Sequence, residues 1–178
     1  MTRSISACFV LTFALVLTGC GQSGTAEREG SNAGPAAWLI DSEPAGALAV
    51  AEAKSQVQAG DEVVVRGRIG GRVNPMSDDS PVFTIMDLSV PHCGQMGEED
   101  HCPTPWDYCC ETAESKRANA ATVQVVDAQG SPVGDKLAAS GLNNLDEVVL
   151  VGTVGPRPNQ DVLMIRATGV YRVPGATQ

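Results

Sequence analysis

From Asp61 onward the apolar residues fall at alternate positions in short runs, the period of a half-buried β-strand. Five runs carry the pattern: 62–69 (EVVVRGRI), 81–88 (PVFTIMDL), 121–127 (ATVQVVD), 147–154 (EVVLVGTV) and 162–171 (VLMIRATGVY). Each is rich in β-branched residues and bounded by Gly, Pro, Asn or Asp, which predicts five strands, β1 to β5 in that order. Ahead of them, the Ala-rich stretch 45–57 predicts a helix with Asp41-Ser42-Glu43-Pro44 at its start and Ala59-Gly60 at its end. Its apolar face, Leu48, Val50, Ala51 and Val57, is narrow. The stretch 134–142 (GDKLAASGL) predicts a short helical turn between β3 and β4. The class is all-β with minor helix.

Five strands in this order, with a helical segment between the third and the fourth, resemble an OB-fold domain of the kind found in tRNA-anticodon-like and small bacterial exported OB proteins. The resemblance runs over residues 60–172, through GDEVVVRGRIGG, FTIMDLS, ATVQVVD and NLDEVVLVGTVG to LMIRATGVYR. It implies a five-stranded barrel, in which Gly67 and Gly152 would serve the sharp bends of a small closed sheet. It also implies oligonucleotide or oligosaccharide binding, although sites and not folds decide function.

The N-terminus locates the protein. Residues 1–19 carry Arg3, an apolar run CFVLTFALVL at 8–17 and small residues, the layout of an export signal. The run is shorter than the roughly 20 residues of a spanning helix. Leu17-Thr18-Gly19-Cys20 resembles the lipobox of bacterial lipoprotein precursors, which implies lipidation (palmitate) at Cys20 and a lipid-anchored, extracytoplasmic place in the bacterial cell envelope. Residues 20–37 (CGQSGTAEREGSNAGPAA) form a Gly-, Ser- and Ala-rich tether with no apolar period. One domain, 38–174, remains.

Charge argues against nucleic acid. Without Arg3, eleven Lys and Arg face twenty-one Asp and Glu, a net charge of −10, whereas a nucleic-acid groove is basic. Single-strand binders also stack bases on aromatic platforms, and the β1–β3 face offers Phe83 alone. A candidate ligand surface is limited to Arg66, Arg68 and Arg72 along β1, with Phe83, Trp106 and Tyr108.

The chemistry is concentrated in a loop at 91–111, between β2 and β3. Its core, PHCGQMGEEDHCPTPWDYCC, holds four of the six cysteines and both histidines. Cys93, Cys102, Cys109 and Cys110 form an even set in an oxidising compartment, which predicts two disulfides. Cys109 and Cys110 are adjacent, about 3.8 Å apart at Cα, too close for a mutual bridge, so each is expected to pair with Cys93 or Cys102. The alternative is a zinc or copper site built from the same cysteines with His92, His101 and, for copper, Met96. Against it stands the spacing, with eight, six and no residues between successive cysteines and no Cys-x₂₋₄-Cys knuckle. A redox role is the weakest reading, for lack of a Cys-x-x-Cys motif and because Glu98, Glu99, Asp100, Asp107 and Glu111 would raise thiol pKa values.

No Ser-His-Asp set, phosphate-cradling glycine loop or hydrolytic carboxylate pair is present. The sequence therefore points to a non-enzymatic, membrane-anchored OB-like module whose stapled loop meets an envelope protein or a glycan, with metal binding as the alternative. Cys20→Ser is expected to move the protein from the detergent phase to the aqueous phase in a phase-partition assay. Equal partitioning of mutant and wild type would refute the anchor.

Overall fold

The structure, a computed structural model, describes residues 36–97, 102–134 and 137–175. Five strands close on themselves: β1 (Glu62–Ile69), β2 (Val82–Met86), β3 (Ala120–Val125), β4 (Glu147–Val154) and β5 (Met164–Arg172). β1 pairs with β2, β2 with β3, β5 with β4 and β4 with β1, all antiparallel, while β3 and β5 run parallel. This circular order, 1-2-3-5-4-1, is that of the OB barrel.

The register lines up the inward side chains. Val65 lies opposite Leu150, and Leu150 opposite Val170; Phe83 lies opposite Val123, and Val123 opposite Ile165. All of these are buried in one core. Closing so small a barrel forces β4 and β5 together at a bulge between Val151 and Gly152. A Cβ at residue 152 would lie 2.1 Å from the Arg166 carbonyl oxygen, so only glycine passes there.

The helix is shorter than its composition suggests. α1 spans Val50–Gln56, and Leu48–Ala49 instead forms a two-residue strand parallel to β1. That strand takes the edge of β1 left open by β2, which pairs only with Arg68 and Ile69. Sheet hydrogen bonds thus override the helix propensity of the alanines, and Gly46 takes φ +77° in the turn before them. The expected cap at residues 41–44 is replaced by a distant one, with Ala51 N–H donating to Asp87 Oδ2 at 2.9 Å.

α1 buries Val50 and Ala53 in the core. The far side of the helix is fastened to the β4–β5 connection. Lys54 Nζ donates to the Asp161 carbonyl at 2.7 Å and to that of Arg117, while the Arg157 guanidinium donates to the Lys54 carbonyl at 2.9 Å. Between β3 and β4 the expected helical turn is a 3₁₀ turn at Leu137–Ser140. A second helix, α2 (Ala113–Asn119), follows the cysteine loop, its start capped by Thr112 Oγ1, which accepts from Ser115 N–H at 3.0 Å.

Asp87, 3% exposed, ties the end of β2 to α1. Burial pushes its carboxyl up, but the amides of Ala51, Ser89 and Val50 and the Ser89 hydroxyl hold it below the usual carboxylate range. A depressed folded pKa stabilises the fold fully above the unfolded value of about 4 and stops doing so as pH falls through the folded value. Asp87→Asn is expected to cost about 1 kcal/mol in denaturant unfolding at pH 7. The gap between wild type and variant should close on acidification below pH ~4; a gap independent of pH would contradict the charged cap.

Candidate metal centre

The cysteine loop is seated on the barrel by a pair of glycines. Gly70 and Gly71 end β1, and Gly71 N–H donates to the Trp106 carbonyl at 2.8 Å. A Cβ at residue 70 would lie 2.7 Å from that same carbonyl oxygen and 2.8 Å from Tyr108 Cε2. Trp106 Nε1 in turn donates to the Val73 carbonyl at 2.9 Å. Tyr108, with φ 55°, turns the chain inward and buries its ring completely in a small cluster with Met86 and Val90. Burial pushes the Tyr108 phenol up, opposed by the Arg68 guanidinium beside it.

Two 3₁₀ turns bring the donors together. Cys93–Gln95 forms the first, which points Cys93 into the protein at 1% exposure. Pro105–Asp107 forms the second, and the Asp107 carboxylate holds the chain on both sides of itself. Its Oδ1 accepts from Cys109 N–H at 2.7 Å and its Oδ2 from the Thr104 hydroxyl at 3.0 Å. Cys109 Sγ then stands 3.3 Å from Cys93 Sγ, 3.5 Å from Cys102 Sγ and 4.0 Å from Cys110 Sγ. Donor atoms of Cys93, Cys102, Asp107 and Cys109 all lie within 4.8 Å of one another.

These separations correct the expected staples. A disulfide has its sulfurs about 2.05 Å apart, and none of the four thiols is bridged. Adjacent Cys109 and Cys110 both approach Cys93, and Cys109 also meets Cys102, so the cysteines form one cluster and not two bonded pairs.

The sulfurs are electrostatically unequal. Burial pushes the Cys93 thiol up, but the Cys110 amide and the thiols of Cys109, Cys110 and Cys102 donate to it and bring it below the ordinary value. Cys109 is pushed up strongly, first by its hydrogen bond to Cys93 and then by that to Cys102. Cys93 is thus the sulfur whose surroundings favour the thiolate form more than those of Cys109 do. Such convergent donation to a thiolate is also what a cation would replace.

Other expected site residues fall elsewhere. His92 is buried and packs edge-on to Tyr108, ring centroids 6.4 Å apart at 77°, outside the four-donor group. His101 and Cys20 lie outside the described residues. Met96 caps the first 3₁₀ turn and is 52% exposed. Phe83 is a core residue, 1% exposed, and no ligand platform, because its β2 position points inward opposite Val123.

The arginine stripe divides. Arg66 pairs with Glu147 at 2.5 Å and Glu43 at 2.9 Å, Arg68 faces Tyr108, and Arg72 lines a shallow groove of about 190 Å³ with Arg117 and Thr122. Asp107, named in sequence only among the carboxylates that would raise thiol pKa values, is a donor that the cysteine spacing did not reveal. Its signal was its place two residues before Cys109, where an Asp side chain closes a turn on the backbone N–H.

No protein-family model and no curated protein matches this sequence. Among solved structures the chain is similar to the hypothetical protein ygiW from E. coli, at 17% identity over 73% of this chain and 94% of that one, with a TM-score of 0.37. The OB assignment stands on the strand order. Gly70→Ala is expected to push the loop off its seat, costing about 1–3 kcal/mol and dispersing the sulfurs while the barrel stays folded. Slower reaction of Cys93 with a thiol reagent in the variant than in wild type would contradict this.

Proposed function

We propose that this protein is a membrane-tethered, extracytoplasmic metal-binding module in which an OB-like barrel carries a solvent-facing thiolate site for zinc. The observation that carries the reading is the set of sulfur separations around Cys109, from 3.3 to 4.0 Å. Tetrahedral zinc with Zn–S bonds of about 2.3 Å holds its sulfurs about 3.8 Å apart. The site therefore lies a few tenths of an ångström from the ligand geometry without its metal. Three thiolates and a carboxylate, or four thiolates, suit a borderline-soft divalent ion.

Cys93, Cys102 and Cys109 supply three positions in this reading. Asp107 supplies the fourth, and Cys110, 4.0 Å from Cys109, can replace it. The hydrogen bonds that Asp107 accepts from Thr104 and Cys109 fix the carboxylate, as partners of ligating groups do in metal sites. With Cys109 and Cys110 exposed, a metal here is open to exchange, which supports acquisition or delivery over a closed structural role. Burial of Phe83 and Tyr108 takes two of the three aromatics out of the candidate ligand surface. The export signal and the lipobox-like Cys20 support the envelope location.

The test is metal analysis of protein purified without chelator, with a competitive chelator titration. One zinc per chain is expected. Cys109→Ser should weaken zinc beyond the about 100-fold that loss of an outer partner costs, whereas Asp107→Asn and Cys110→Ser, each backed by the other, should cost under about 10-fold. Equal effects of all three substitutions, or no stoichiometric metal, would refute the site as described.

A further inference from the structure

Cys109 and Cys93 differ in one respect that zinc binding does not require. Cys109 is exposed, and Cys93, 3.3 Å away, is buried. A sulfur that solvent can reach thus stands directly in front of one that it cannot. This is the layout of a capturing and a resolving thiol. Cys102 is half-buried at 3.5 Å, so a small oxidant can reach it too. Cys110 is excluded as the resolving partner, because adjacent residues about 3.8 Å apart at Cα fall short of bridge geometry.

We propose that the Cys109–Cys93 pair carries out thiol–disulfide exchange with small-molecule disulfides, and that this reaction ejects the metal. The inference deepens the metal reading by naming what regulates that site. Bound metal keeps the Cys109 sulfur deprotonated, and that thiolate attacks one sulfur of a disulfide RSSR. The S–S bond breaks, a Cys109–SR mixed disulfide forms and the other half leaves as RS⁻.

The Cys93 thiolate then attacks Cys109 Sγ, forming the Cys93–Cys109 bond and expelling the second RS⁻. The two protein sulfurs lose two electrons and RSSR gains them. The leaving thiolates take protons from solvent in the loaded form, and the two thiol protons in the metal-free form. A zinc held here would lose two thiolates, keep only Cys102 with Asp107 or Cys110, and be released. Reduction by thiols reverses the sequence and reopens the site.

The experiment uses the full chain with Cys8→Ser and Cys20→Ser, which leaves the four loop cysteines as its only thiols. Zinc-loaded and metal-free samples are each treated anaerobically with oxidised glutathione, zinc release is followed with a colorimetric chelator, and linked peptides are mapped by mass spectrometry. The expected result is a Cys93–Cys109 peptide in both samples, formed more slowly without metal because the hydrogen bonds to Cys93 and Cys102 then favour the thiol form of Cys109, and one zinc freed per bond closed in the loaded sample. Cys93→Ser should stall with glutathione on Cys109, and Cys110→Ser should still close the Cys93–Cys109 bond. Dominant linkage through Cys102 or Cys110, closure unaffected by Cys93→Ser, or closure lost in Cys110→Ser would overturn the proposal. If no zinc binds but the metal-free protein forms the Cys93–Cys109 bond, the metal reading fails and the exchange pair stands.

Discussion

Tyr108 sets the geometry on which the site depends. Its ring is wholly buried with Met86 and Val90, and its left-handed backbone, φ 55°, reverses the chain at that point. The residues on either side are therefore fixed within one or two peptide lengths of the barrel end. Asp107 is placed to receive the Cys109 amide, and Cys109 is placed over Cys93. No disulfide is required to hold the sulfurs together, because the aromatic side chain and the Gly70–Gly71 seat hold the backbone that bears them. Large aromatic burial supplies this locally at little entropic cost, since the ring has only two rotatable bonds.

This arrangement makes the loop part of the fold. Cys93, at the other end of the segment, is as buried as the barrel core, and α1, capped by Asp87 just after β2, ties the loop's first residues to the same end of the barrel. The exposed side of the cluster is left to Cys109, Cys110 and the half-buried Cys102. One face of the thiol group is thus held rigidly and the other meets solvent, which is the combination that a site for exchangeable metal needs.

The barrel was legible because each strand is written twice, in alternation and in flanking turn residues. β1 and β4 have the expected limits, and β2, β3 and β5 shift by one or two residues at their ends, where pairing rather than pattern decides. Long-range contacts were not legible. The helix start moved to Val50 because Leu48 and Ala49 pair with β1 and because Asp87, thirty-six positions from Ala51, caps the helix, and Phe83, an aromatic on the right strand for a ligand platform, faces the core because of its register with Val123. The cysteines were found and their relation was not. Parity and compartment favour disulfides, whereas the observed cluster depends on the Asp107 turn and the burial of Tyr108, neither of which cysteine spacing encodes.

The central claim is that this cluster is a thiolate metal site, and X-ray absorption at the zinc edge of the purified protein tests it most directly. The account predicts a first shell dominated by three or four sulfurs at about 2.3 Å, with at most one oxygen. A shell of only nitrogen and oxygen, such as adventitious surface zinc would give, would contradict it.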